Sequence, residues 1–153
     1  MDILTYSPAI PEDIPFISQV YLENIASLHG IHRDADTWSA LLADTDSAYY
    51  IVRTDLPVGW FRVDVENGQL WLGMLQVKPQ HQRQGIGKYV LSVIEQLAKE
   101  LGYARIGIHT TEDNFAAQAL YSNFGYTVTE IGPCTTADGV ERIGYTFEKQ
   151  IIL

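Results

Sequence analysis

A chain of 153 residues, 46% hydrophobic and 19% charged, is one ordinary domain with enough apolar material for a core and too little charge for disorder. Its 10 Lys+Arg stand against 19 Asp+Glu, a net charge of -9 that excludes general binding to nucleic acid or to an anionic membrane surface. The one cysteine, Cys134, excludes an intrachain disulfide and a cysteine-based metal cluster.

No apolar run nears about 18 residues and no basic-then-apolar leader opens the chain, so the expectation is a single cytoplasmic domain over residues 1–153. Residues 2–6 read as a short strand. Pro11-Glu12-Asp13 then opens a helix, with proline where no N–H donor is needed and acids at the positive dipole end. Ile14, Ile17, Val20, Tyr21, Ile25 and Leu28 keep helical spacing up to Gly30. A second helix covers Asp36 to Leu42, capped by Asp34 or Asp36.

Three strands follow in close succession, 47–53, 58–65 and 69–77, the last two joined by the hairpin signal Asn67-Gly68. The run Leu70-Trp71-Leu72-Gly73-Met74-Leu75 is apolar on both faces and belongs in the sheet centre. A long helix from Gly85 to Leu101 presents Ile86, Val90, Val93, Ile94, Leu97 and Leu101 as one stripe, and Gly102 ends it. Tyr103–His109 reads as a strand parallel to the central one, because a crossover of this length implies parallel pairing. A short helix over 114–123 and an antiparallel hairpin, 126–131 with 141–151, close the chain. The predicted fold is α/β: a mixed sheet of about seven strands, antiparallel at first and parallel at its central pair, with helices on both faces.

Between Asn67 and Ile94 there is no Asp or Glu, where the chain average would put about 3.5. The same window holds Lys78, Arg83 and Lys88, and within it Gln82-Arg83-Gln84-Gly85-Ile86-Gly87-Lys88 lies between the central strand and the long helix. Glycines let a backbone approach a ligand, and the first N–H groups of a helix have no intrahelical acceptor, so a phosphate or pyrophosphate is the natural occupant. The plainer reading is a glycine-eased turn on a basic patch. The dinucleotide fingerprint fails because Val90 stands at its third glycine, and the P-loop lacks its first glycine and its Gly-Lys-Ser/Thr end.

Val77-Lys78-Pro79-x-x-Gln82-x-x-Gly85-Ile86-Gly87 resembles the acyl-CoA pyrophosphate loop of the GNAT (Gcn5-related N-acetyltransferase) family, whose signature is Gln/Arg-x-x-Gly-x-Gly/Ala. Asn114-x-x-Ala117-x-x-Leu120-Tyr121-x-x-x-Gly125-Tyr126 is similar to the family's second hallmark, and the strand order matches over nearly the whole chain.

The resemblance implies acetyl-CoA as co-substrate, no metal, and a site in which the central strand splays from its parallel neighbour. The peptide groups of Leu75, Gln76 and Val77 would bind the pantetheine arm and the acetyl carbonyl. The amides of Arg83, Gln84, Gly85, Ile86, Gly87 and Lys88, following Gln82, would hold the pyrophosphate, with Arg83 and Lys88 adding charge. Asn114 would bond the pantetheine arm, although an N-cap role alone explains an Asn there. Ala117 would leave the arm room, and Tyr121 would sit near the sulfur as the catalytic donor. A phenol is a weaker acid than a thiol by about 2 kcal/mol, so Tyr121 serves best by stabilising the sulfur's developing charge.

The sequence does not single out one base. An alkylammonium is only about 0.04% neutral at pH 7, so a proton acceptor helps. Many family members carry a carboxylate early in the central strand, where this chain has Trp71. His109, Asp64, Glu66 and water remain candidates. His29-Gly30-Ile31-His32 lacks a third metal ligand at a known spacing, and Cys134 has no adjacent base. His29, His32, Arg33 and Trp38 lie where the family covers its substrate, and a solvated loop with one buried Trp explains them as well.

The expected function is N-acetyl transfer from acetyl-CoA to a primary amine of a small molecule, peptide or protein in a ternary complex. The alternatives are an acyl-CoA-binding sensor without turnover, or transfer from another acyl-CoA. No nucleic acid or membrane partner is expected, and the late hairpin offers an edge for homodimerisation.

Overall fold

Asn67 and Gly68 both take positive φ, 55° and 70°, and reverse the chain between β3 (Pro57–Glu66) and β4 (Gln69–Val77). With β1 (Thr5–Pro8) and β2 (Ser47–Arg53) these strands form an antiparallel half-sheet. β5 (Arg105–Thr111), β6 (Thr127–Thr135) and β7 (Glu141–Gln150) complete a seven-stranded sheet in the order β1-β2-β3-β4-β5-β7-β6. The computed structural model describes residues 3–152.

Helices cover both faces. α4 (Ile86–Leu101) and α5 (Phe115–Asn123) bury Val90, Ile94 and Tyr121 against Leu70, Leu72, Ile106 and Phe147. On the other face α1 (Ile14–Glu23) and α3 (Ala35–Ala43) bury Ile17, Val20, Tyr21 and Trp38 over Trp60 and Ile51. Trp60 belongs to that core, and Asp34 is the N-cap of α3, accepting from the Thr37 amide.

Several boundaries differ from the sequence expectation. Of the expected 2–6 strand, residue 2 lies outside the described residues and residues 3 and 4 are not in a strand; the first strand lies at Thr5–Pro8, in register with Arg53 to Tyr50 at the sheet edge, where a proline is tolerated. The first helix is not continuous: a 3-10 turn at Pro11–Asp13 leads into α1, and Asn24 separates α1 from α2 (Ile25–Leu28). β5 begins two residues late because Gly102, at φ 82°, lets the Tyr103 amide bond back to Ala98 and finish α4. β6 runs on to Thr135, held by β7 along its length.

Two irregularities make the site. Arg62 pairs with Met74 and Val63 with Leu72, so Gly73 is an extra residue on β4. The bulge reverses the alternation: Leu70 and Leu72 face α4, whereas beyond it Met74 faces α1 and α3. β4 then pairs with β5 in parallel only at Leu70–Leu72 opposite Ile106–Ile108, and β5 continues along β7 as far as Thr111. From Gly73 onward one edge of β4 is open.

Candidate active site

The open edge carries unused peptide groups. The Lys78 amide donates to Val58 O at 2.9 Å, so Gln76 and Lys78 turn their peptide groups toward β3 while Leu75 and Val77 turn theirs into the gap. Asn24 closes part of that gap: its Nδ2 donates to Val77 O at 3.0 Å and to Gln76 Oε1 at 3.1 Å. Gln82 Nε2 donates to the same Val77 carbonyl at 3.1 Å. The peptide of Leu75 and the amide of Val77 remain without a strand partner. Gln76 departs from the expectation made for it, since its peptide faces β3 and its buried side chain serves Asn24 instead.

The glycine turn forms a nest. Arg83 and Gly85 take φ of 63° and 86°, and Gly85 is the N-cap of α4. Among the described residues no hydrogen bond outside the helix ladder uses the amides of residues 83–88, which leaves them available to an anion at the helix start. Gly87 has a different task. A Cβ there would come 2.8 Å from Leu120, so this glycine lets the first turn of α4 lie against α5.

Two clefts meet at the gap. One, about 610 Å³, is lined by Leu75, Val77, Gln82, Arg83, Gly85 and Lys88 among others and holds no carboxylate. The second, about 480 Å³, opens on the other side toward His109, Glu130, Cys134 and Thr146 and holds no Lys or Arg. Both are bordered by Leu75, Gln76, Asn114, Ala117 and Tyr121, so the open edge of β4 joins them. Asn114 Oδ1 caps α5 at the Ala117 amide, 3.2 Å away, and its Nδ2 stays free for a ligand. Tyr121 is buried, burial pushes its phenol up to about 12, and no described side chain or backbone group bonds its hydroxyl. It is a neutral donor waiting for an acceptor.

Of the base candidates, His109 is the one that borders either of these two clefts. Asp64 is held by Arg62 at 3.0 Å and Ser47 at 2.6 Å, and Glu66 is exposed on the hairpin. His29 bonds Asp113 at 2.7 Å, while Arg33 lies over the rings of Tyr21 and Trp38; neither borders the clefts. Among the described residues no group of three or more His, Cys, Asp and Glu is placed to hold a metal. No described helix is long and apolar enough to cross a membrane. Asn24 borders the first cleft and Glu130 and Thr146 the second, none of them marked by a motif in the sequence. An Asn inside an apolar helical pattern is the one signal that could have marked the first of them.

A parted strand pair, an amide nest at a helix start and a phenol at their junction thus lie together along one side of the sheet's open gap. The model of the acetyltransferase (GNAT) family matches residues 16–126, and the chain belongs to that family. Human N-acetyltransferase 8 is 28% identical over 102 residues, covering 62% of this chain and 45% of its own. Mouse N-acetyltransferase family 8 member 3 is 34% identical over 65 residues, 42% of this chain and 29% of its own, so the chain spans less than half the length of these curated relatives. The ribosomal-protein-S18-alanine N-acetyltransferase of Escherichia coli shares the fold with a TM-score of 0.76 at 21% identity, over 99% of this chain and 96% of its own. The yncA structure from Salmonella typhimurium, solved with its cofactor acetyl-CoA, has a TM-score of 0.76 at 19% identity, over 97% and 94% of the two chains.

Proposed function

We propose that this chain transfers an acetyl group from acetyl-CoA to a primary amine by direct attack in a ternary complex. The observation that carries the reading is the junction of two clefts of opposite charge at Tyr121, through the open edge of β4. The nest at 83–88, with Arg83 and Lys88, suits a pyrophosphate; Leu75, Val77 and Asn114 suit the amides of a pantetheine arm. Acetyl-CoA supplies the activated thioester.

His109 takes one proton from the acceptor ammonium and passes it to solvent. As the amine forms its C–N bond and the C–S bond breaks, the Tyr121 hydroxyl donates to the sulfur. The second amine proton ends on the departing thiol. The acceptor is an amine on a small molecule or a peptide, and the chain works as one domain.

Calorimetric titration with acetyl-CoA, followed by thiol release across a panel of amines, tests this. Micromolar binding at one site per chain with amine-dependent thiol release is expected. Binding without release from any amine would make the domain a sensor, and no binding up to millimolar acetyl-CoA would end the acyl-CoA reading.

A further inference from the structure

Trp71 stands where a carboxylate is usual in the family, and its surroundings give it work. It lies opposite Gly107 in the parallel register, and a Cβ on Gly107 would collide with the indole. The missing side chain therefore lets the ring lie flat across β5. Trp71 Nε1 donates to Glu66 O at 3.2 Å and holds the outer edge of the indole. Its face meets the imidazole of His109, two residues beyond Gly107, with centroids 4.6 Å apart and planes 16° from parallel.

Thr146 holds the same imidazole from the other side. It is the cross-strand partner of His109, it is buried, and its Oγ1 lies 3.1 Å from His109 Nδ1. No other described group bonds that hydroxyl, which can accept from an Nδ1–H or donate to a bare Nδ1. One ring face and one ring nitrogen are thus spoken for. The other nitrogen, Nε2, has no described partner, and the residue borders the acceptor-side cleft.

We infer that Trp71 and Thr146 are positioning residues that hold His109 with Nδ1 protonated and Nε2 presented to the acceptor amine as the free lone pair. The inference rests on the proposed transferase reading for its purpose, but the ring arrangement stands on its own. A histidine left to itself favours the proton on Nε2, so the Nδ1–H form needs a partner such as Thr146 Oγ1. In place of a carboxylate on β4, this chain uses an aromatic wall on β4 to aim a base from β5.

The test is a long-range proton–nitrogen NMR spectrum of the side chains of the four histidines, with the His109 signals identified by their loss in His109→Asn. The expected result is a neutral His109 carrying its proton on Nδ1. Thr146→Val should move the proton to Nε2 and lower kcat about 10-fold without changing the KM for acetyl-CoA, and Thr146→Ser should restore both. Trp71→Leu should lower kcat similarly, with Trp71→Phe recovering most of it. Calorimetric affinity for acetyl-CoA reports that the variants are folded. A wild-type ring protonated on Nε2, or a tautomer and kcat indifferent to Thr146→Val, overturns the inference even if amines are acetylated. An Nδ1–H ring in a protein that acetylates no amine would instead remove the transferase reading and leave the arrangement intact.

Discussion

Asn24 Nδ2 lies 3.0 Å from the carbonyl of Val77, so the break after α1 and the open end of β4 are one structure. The same carboxamide reaches Gln76 Oε1, and Gln82 Nε2 lies 3.3 Å from Asn24 Oδ1. A residue that interrupts a helix thereby closes the acceptor side of one strand carbonyl and leaves the neighbouring amide groups for a ligand. The helix gives up continuity, and the gap gains a defined edge.

Asn24→Ala should therefore act on the cofactor cleft although the residue is distant in sequence. The Val77 carbonyl would keep only Gln82, and Gln76 Oε1 would lose its partner. Gln82 Nε2 would also lose Asn24 Oδ1, and loss of three such bonds amounts to about 2–4 kcal/mol, or a fall of several degrees in melting temperature. Acetyl-CoA affinity should weaken about 3- to 10-fold, because the strand edge proposed to take its pantetheine arm is no longer fixed. Calorimetry and thermal unfolding check both. An unchanged affinity with a lowered melting temperature would leave Asn24 a purely structural residue.

Tyr121→Phe separates binding from chemistry. The ring fills the same volume against Tyr126 and Phe147, with centroids 6.3 and 5.6 Å away, so packing should survive. The hydroxyl has no described partner to abandon. Turnover should fall about 100-fold, the scale for losing one donor to a developing anion, while acetyl-CoA affinity stays within about 3-fold. Thiol release alongside calorimetry measures this, and full turnover in the variant would return Tyr121 to the core.

The parts of this site that could be read in the sequence are those whose geometry is local. Gly85 with its αL backbone, the helix it opens and the Asn114 cap depend on neighbours within a few residues. The break at Asn24 was not legible, because the pattern Ile14 to Leu28 is helical and the demand for a carboxamide comes from Val77, 53 residues away. Glu130 was equally hidden. Its place in the cleft depends on β7 lying between β5 and β6 and on the bulge between Val128 and Glu130. Trp71 reads as part of an apolar central strand, but Gly107 opposite it leaves room for the indole to lie across β5 against His109.

Glu130 is the one carboxylate bordering the acceptor-side cleft, and no described cation pairs with it. It is the cross-strand partner of Thr146, which in turn is that of His109, so about two strand spacings, roughly 10 Å, separate the Glu130 and His109 backbones. An acceptor amine at His109 that carries a second positive group would place it beside Glu130. Diamines should show kcat/KM about 5- to 20-fold above monoamines of equal length, with the advantage shrinking as salt rises. Glu130→Gln should abolish that preference and leave monoamine turnover unchanged. Equal rates for both substrate types in the native protein would remove Glu130 from acceptor recognition.

The phenols beneath the junction predict how stability responds to alkali. Burial pushes Tyr121 up to about 12, and burial, then Glu95, raises Tyr126 further, whose hydroxyl is buried without a described partner. Lys149 lies 2.6 Å from Glu95 and 5.7 Å from the Tyr126 ring, so a cation is present but spoken for. An unfolded tyrosine ionises near about 10, and a folded one that resists ionisation binds its proton more tightly than the unfolded chain does. Their contribution is thus fully present below pH about 10 and is lost as the pH climbs from there toward about 12. Urea unfolding at stepped alkaline pH should show stability falling through that window, by on the order of 3 kcal/mol for Tyr121 alone. Tyr121→Phe should flatten the slope. Phenolate absorbance from exposed tyrosines should rise first and that from Tyr121 and Tyr126 only on unfolding, whereas simultaneous ionisation of all nine tyrosines would mean that the junction admits solvent freely.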